Sequence, residues 1–456
     1  MREFFSKLWE NIRALPKNAL SGLRPLPPNS AKPAVRMRRA FFYHLHPLNV
    51  TSRALNPLVT MGLGIGSVTL FILLCISGAL LMVYYDPSTT GAHSSLMDIQ
   101  YAVSFGVFIR SLHRWSAHAM VVLVLMHMLR VVAQGAYVGR QLNWIIGLSM
   151  LFLTMGLAFT GYLLPWDHRS YWAVTVSANM LDHFPLLGHS IKELFLGGTN
   201  VDGATLLRFY ALHVAWLPAA LVALMALHLW RLRRDGGLAV GPDVSGDGEK
   251  VPAWPHLVLR EASVVLILTA AMFVLSAVIS ASLGGAPDIH HPSNPEKAPW
   301  YFLWLQEMVS YSVPVGGVWY PLALVLMLLG IPLLDRETSE VGKWFGGSTK
   351  ARSVIAFSVL LAIGSFVLFE YLYLSGAHEL GVAGISTDIM NPASGMLLLA
   401  LVVFFVAGVL SSSTRIACLC ALIVLVIGLV GFVLVGMCRG PDWVFYWPWQ
   451  GWPHGI

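Results

Sequence analysis

The chain has 456 residues, 56% of them hydrophobic and 11% charged, with a mean hydropathy of +0.68. A soluble domain carries about a quarter charged residues, so this composition excludes an ordinary globular enzyme and points to an all-α polytopic membrane protein. The net charge of +6 comes from Lys and Arg gathered in particular loops, not from one basic face, which argues against nucleic acid as a partner.

In chain order, residues 4–15 place Phe5, Leu8, Trp9, Ile12 and Leu15 on one helical face and Lys7, Glu10 and Arg13 on the other. That pattern suits a helix lying in the headgroup plane. A Pro-rich basic linker runs from Arg24 to about Met37, and no cleavable signal sequence is visible before it. Apolar stretches of spanning length follow near 58–84, 109–131, 142–164, 209–231, 257–283, 319–335, 353–374, 394–411 and 415–437, about nine spans. Residues 1–40 hold nine Lys/Arg against two acidic residues, 231–260 hold five and 335–352 hold four. The alternate loops are poor, with none in 86–104, Lys297 alone in 285–318 and none in 376–392. The asymmetry puts the N-terminus in the cytoplasm and the Trp-rich tail, Trp443 to Trp452, at the outer interface. A polar Gly-rich joint at 235–252 separates two membrane halves. The expected division is 1–50 interfacial helix and linker, 51–234 a four-helix domain, 235–256 linker, and 257–456 a second helical membrane domain. Cys75, Cys418, Cys420 and Cys438 form no zinc spacing and no C-x-x-C-H haem attachment, and read as small membrane-core residues.

The second span carries His113 and His127, fourteen residues apart. On an α-helix this is a rise of ~21 Å and a return to within ~40° of the starting direction, so both imidazoles leave one face near opposite sides of the hydrocarbon. The fourth span repeats the device with His213 and His228, fifteen apart. Both helices run outside to inside, so His113 faces His213 in the outer leaflet and His127 faces His228 in the inner. Four imidazoles so placed can clamp two planar iron macrocycles, two non-covalent b-type haems. Bis-imidazole ligation leaves no open coordination position, so each haem would carry electrons. His118, five residues past His113, points elsewhere and reads as a packing residue.

The first and third spans hold Gly64 and Gly78, and Gly147 and Gly161, again fourteen apart in each. Glycine lets a bulky ring approach a backbone closely, so these are candidates for haem packing. Arg110 and Arg114 flank His113 near the outer surface, where haem propionates need cations.

This set resembles the cytochrome b family of the Rieske/cytochrome b (bc-type) quinol oxidoreductases. The resemblance rests on Ser111-Leu-His113-Arg-Trp115, Gly161-Tyr-Leu-Leu-Pro-Trp166-Asp, Tyr171-Trp-Ala-Val, Arg208-Phe-Tyr-x-Leu-His213 and Pro295-Glu-Lys-Ala-Pro-Trp-Tyr-Phe302, and covers roughly residues 50 to 335. The fifteen-residue spacing of His213 and His228 is similar to the chloroplast-type branch, although both halves are fused here. The resemblance implies that quinol is oxidised near the outer surface. One electron would go to a Rieske iron–sulfur subunit and the other through the outer haem to the inner one, where quinone is reduced, coupled to proton translocation. It implies an oxidation pocket of Tyr162, Pro165, Trp166, Pro299, Trp300, Tyr301 and Phe302, and a carboxylate to take a quinol proton.

In the usual family pattern Glu and Trp are adjacent. Here Lys297-Ala-Pro299 separates Glu296 from Trp300, so Glu307, about two turns on if Trp300 starts a helix, stands as a rival. The chloroplast branch tethers a further haem through a cysteine at the position of Gly62, so no covalent haem is expected. Arg233 is the candidate for the inner quinone site. Moving an electron inward across two thirds of the hydrocarbon against ~200 mV costs about 3 kcal/mol, which calls for an inner haem of higher potential. The chain has neither Rieske ligands nor a haem c site, so a Rieske subunit and a cytochrome c-type subunit are implied partners. The family implies a homodimer in an energy-transducing membrane, the bacterial cytoplasmic membrane. Two other readings remain: a di-haem anchor passing electrons between quinone and a peripheral oxidoreductase, and a transporter with a histidine proton relay.

Overall fold

The computed structural model describes residues 2–13, 49–183, 187–235, 237, 250–376 and 390–450. Among these the chain forms α1 (Arg2–Arg13), α2 (Pro57–Thr60), α3 (Leu63–Met82), α4 (Ala92–Tyr101), α5 (Gly106–Ala133) and α6 (Gln141–Leu163). Next come α7 (His168–Leu181), α8 (Gly188–Leu196), α9 (Gly203–Arg234) and α10 (Ala253–Val278). The chain then continues through α11 (Trp300–Tyr311), α12 (Val315–Leu334), α13 (Thr349–Leu374), α14 (Pro392–Ser411) and α15 (Thr414–Met437). Nine of these helices are long and apolar enough to cross a membrane: α3, α5, α6, α9, α10 and α12 to α15. The one sheet among the described residues is a two-stranded antiparallel ribbon, β1 (Asn49–Thr51) on β2 (Lys250–Pro252). It ties the entrance of the first span to that of the fifth.

Two boundaries differ from expectation for local reasons. Met61 (φ 53°) and Gly62 (φ 65°) are consecutive left-handed residues, so the first span starts at Leu63 instead of 58. The short α2 before it is capped by Asn56, whose side chain accepts from Leu58 N at 2.9 Å, with Pro57 in the first turn. The fifth span stops at Val278, because Ile279 is extended, and residues 279–299 run as a loop. The long loop after α6 holds two unforeseen helices, α7 and α8. Asp167 starts α7 with a capping box to Ser170.

Helices α3 with α5 and α6 with α9 pack pairwise, and α10 lies against α3 and α5. In the later part α15 is the axis on which α11, α13 and α14 pack. Its most apolar window is 61% buried against 6% for α9, so α15 is shielded by protein while α9 is not. A buried polar knot joins the parts: Tyr137 Oη donates to Asp335 Oδ2 at 2.6 Å and Arg415 Nε to the same oxygen at 2.8 Å. With charge and hydroxyl satisfied together, the knot avoids the cost of an unpaired buried carboxylate.

The N-terminal helix sits one stripe away from the expected face. Phe4 and Leu8 are buried against Phe404 and Ala417, and Asn11 Nδ2 donates to Leu334 O at 2.5 Å. Phe5, Trp9 and Ile12 remain exposed. Thus α1 presents one apolar stripe to α14 and α15 and the neighbouring one outward; Leu15 lies outside the described residues. The Gly-rich joint at 235–252 and Trp452 fall largely or wholly outside them as well.

Candidate functional site

The rings of His113 and His213 face one another from α5 and α9, with centroids 6.1 Å apart and planes at 71°. Two imidazoles bound to one metal through bonds of about 2 Å have centroids roughly 6 Å apart. The fifteen-residue spacing on α9 has a local cause. Residues Leu212–Trp216 form a π-turn, which absorbs one extra residue, so fifteen residues turn the chain as fourteen would. A second π-turn, Val315–Trp319, opens α12. Each lies two residues before a proline, Pro218 and Pro321, whose missing N–H leaves a carbonyl without its α-helical partner.

Hydrogen bonds assign the tautomers of this first pair. His213 Nδ1 is 3.1 Å from Leu157 O, and a carbonyl can only accept, so Nδ1 carries the proton. His113 Nδ1 lies 3.0 Å from Ser77 Oγ. The Ser77 hydroxyl donates to Leu73 O at 2.7 Å, so it accepts from His113, which is likewise protonated on Nδ1. Both rings therefore keep an unprotonated Nε2, the form in which imidazole ligates a metal.

Each of the four glycines stands against one of the four histidines. A Cβ built on Gly161 would lie 2.4 Å from His213 Cε1, on Gly78 3.1 Å from His113, on Gly147 3.4 Å from His228 and on Gly64 3.7 Å from His127. The second pair lines a cavity of about 830 Å³ together with Gly64, Gly147, Arg130 and Asn143. That is the size of a cofactor pocket. His127 Nδ1, Arg130 Nε and Asn143 Oδ1 are buried there with no protein partner among the described residues. Arg130 and Asn143 are 8% and 7% exposed, so these polar atoms are cut off from water and suit a polar ligand substituent. The donor set and the glycine cradles fit a non-covalent haem at each pair, and at the second pair the cavity fits one as well.

The expected outer-pocket residues gather where α6, α7 and α11 meet. Phe302 packs edge-on against Phe159, with centroids 5.8 Å apart, and Trp166 against Tyr171 at 5.7 Å. Trp166 and Tyr301 are buried; Tyr162, Pro165, Pro299, Trp300 and Phe302 are half-buried. Asp167 Oδ2 accepts from Gly284 N at 3.0 Å, which draws the loop after α10 onto the Pro165–Asp167 turn. Gln306 folds residues 296–298 back on α11, donating to Glu296 O and accepting from Ala298 N, both at 2.7 Å.

The two candidate carboxylates separate. Glu296 is half-buried near His168 and Arg169 and within electrostatic reach of Tyr162; burial raises its pKa. Trp300 does start a helix, but Glu307 turns away from this pocket. It is fully buried, accepts from Arg439 Nε at 2.9 Å, Trp443 Nε1 at 3.0 Å and Tyr311 Oη at 2.6 Å, and shares that hydroxyl with Glu370. Arg110 donates to Gln100 Oε1 at 2.9 Å and to the carbonyls of Ala281 and Ser282, so it fastens the loop after α10. Arg114, more exposed, reaches Ser282 O at 3.0 Å. Arg233 is half-buried at the end of α9 and is not among the described residues lining the second cavity, whereas Arg140 and Arg260 are. Sequence reasoning missed Arg130 and Asn143. Their signal was present: Arg130 is three residues beyond His127 and Asn143 four before Gly147, each on the face of its partner.

The family described as Cytochrome b/b6/petB matches residues 50–236. Over 175 residues, 38% of this chain, the sequence is 43% identical to the menaquinol:cytochrome c reductase cytochrome b subunit of Geobacillus thermodenitrificans, covering 78% of that protein. Over the same length it is 42% identical to cytochrome b6 of Heliobacterium modesticaldum, covering 82% of it. Among solved structures, a chain of a hyperthermophilic respiratory Complex III superposes with a TM-score of 0.62 at 25% identity, over 84% of this chain and 98% of that one.

Proposed function

The chain belongs to the cytochrome b/b6 family, and from that premise we propose that it is the cytochrome b subunit of a bc-type complex that oxidises quinol at the outer face of a bacterial cytoplasmic membrane. The single observation that carries the reading is the one-to-one pairing of Gly64, Gly78, Gly147 and Gly161 with His127, His113, His228 and His213. A haem would be held by His113 and His213 on the outer side and another by His127 and His228 on the inner. When bound, these haems supply one-electron transfer, carrying one of the two quinol electrons across the chain to an inner quinone site. The other electron goes to a Rieske iron–sulfur subunit and on to a cytochrome c-type subunit.

The division into a four-helix domain, residues 51–234, and a second domain, 257–456, belongs to the same proposal. Quinol lies between the Tyr162–Trp166 turn and the Pro299–Phe302 segment, which exclude water with aromatic walls. Glu296 takes a proton from the quinol hydroxyl; its partial burial favours the protonated product of that transfer. Glu307, held in an ion pair, keeps the tail from Arg439 to Trp443 in place. Release of the quinol protons outside, and uptake of other protons from the cytoplasm as quinone is reduced at the inner site, make the reaction proton-translocating. The homodimer implied by the family remains part of this reading.

The test is purification of the complex from its own membrane. Expected are reduced b-type bands at two haems per chain, co-purifying Rieske and c-type subunits, and quinol:cytochrome c oxidoreductase activity. Absence of b-type bands would point to the transporter reading. Two haems without quinol oxidation would point to a di-haem anchor.

A further inference from the structure

His118 lies five residues beyond His113 on α5, about 140° further round the helix, so it leaves a different face from the paired histidines. That face meets the start of α11. Trp300 Nε1 donates to His118 Nδ1 at 3.0 Å. The imidazole lies nearly parallel to the Trp300 indole, at 28° with centroids 6.5 Å apart, and touches the Tyr301 ring at 5.8 Å. Trp115, from its own helix, lies against the ring as well, with centroids 5.5 Å apart. Indole N–H is a donor only, so Nδ1 is the acceptor and the His118 proton sits on Nε2. This is the reverse of the tautomer on His113 and His213.

Leu303 seats the first turn of α11 on Gly436 of α15, and Phe302 meets Phe159, but Trp300 is tied by its side-chain hydrogen bond to α5. Pro299 precedes it without a backbone N–H, and no side chain caps its N-terminus. The bond from Trp300 to His118 joins residues 182 positions apart in sequence. It fixes this turn to α5, the helix that carries His113. Tyr301 and Phe302, the next residues, face Tyr162 and Phe159 of α6 across the same space.

We propose that His118 is a positioning residue for quinol oxidation: it holds Trp300, and through it sets the distance between the Pro299–Phe302 wall and the Tyr162–Trp166 wall. The inference rests on the reading of that space as the quinol pocket. His118 itself need not touch quinol.

The test uses the purified complex, a soluble quinol analogue and cytochrome c, with rates compared at equal haem content. His118→Leu should lower kcat/KM for quinol about tenfold, the loss of one buried hydrogen bond. His118→Asn, whose Oδ1 can accept from the indole, should recover most of it. In a Trp300→Phe background His118→Leu should add nothing further, because residues acting through one contact are non-additive. An unchanged kcat/KM in His118→Leu, or losses that add across the two sites, would overturn the role of His118 and leave the pocket reading intact. Failure of the unaltered, haem-loaded complex to oxidise quinol would instead overturn that reading. Should His118→Leu not assemble, Trp300→Phe alone decides, since it removes the donor; an unchanged kcat/KM there also overturns the proposal.

Discussion

Around His113 and His213 the ring edges that face α3 and α6 are taken up, by Ser77 on one side and by Leu157 O and Thr160 on the other. Around His127 and His228 the same device sits in an open cavity with unpartnered polar atoms and a buried arginine. On the proposed ligation, the same imidazoles in two surroundings carry two different consequences. A ligand imidazole that donates from Nδ1 is more basic and favours oxidised iron. His127, whose Nδ1 lacks that bond and which has Arg130 nearby, favours reduced iron. The sequence expects the inner potential to be higher by something on the order of 100 mV, to offset electron movement against the membrane potential. The contrast in hydrogen bonding supplies a cause with the same sign.

The largest effect that sharpens the contrast is steric. Gly161→Val would put its Cβ 2.4 Å from His213 Cε1, so it should displace that ring and abolish the outer haem signal and quinol oxidation. Gly64→Ala, whose Cβ would stand 3.7 Å from His127, should weaken the inner haem band far less. Optical spectra of the two purified variants check this, and equal losses would break the comparison.

Next in size is Glu296→Gln, expected to lower quinol oxidation about 100-fold while leaving both haem bands unchanged. Burial raises the Glu296 pKa, so its basic form is lost as pH falls through that raised value. The unaltered complex should show an acid limb in kcat/KM there, and the Gln variant should lack it. Smaller again is Arg130→Gln, which removes a cation acting on His127 and should lower the inner potential by roughly 50 mV. Smallest is Ser77→Ala, which removes the bond to His113 and should raise the outer potential by roughly 30 mV. Redox titrations read both, and together the two variants should narrow the gap between the haems.

Helix periodicity made much of this legible. Nine spans, the paired histidines and the matching glycines follow from counting residues along a 3.6-residue turn. What escaped depends on partners far away in sequence. Nothing near Glu307 announces Arg439, 132 residues on, so its withdrawal from the cluster of Tyr162, Trp166 and Phe302 could not be read. Arg110 looked free for a propionate because the carbonyls of Ala281 and Ser282 lie in a remote loop. The N-terminal helix showed an apolar face, but two adjacent stripes compete for it. Phe4 and not Phe5 wins because Gly408 leaves room for its ring. The π-turn at His213 did leave a trace, a proline five residues later.

The central claim is that each pair of histidines grips its own haem. The most direct measurement is an optical redox titration of the purified complex carrying His127→Leu. One b-type component, the one of higher potential, should disappear, while the component assigned to His113 and His213 remains. Both components at full strength would contradict the account.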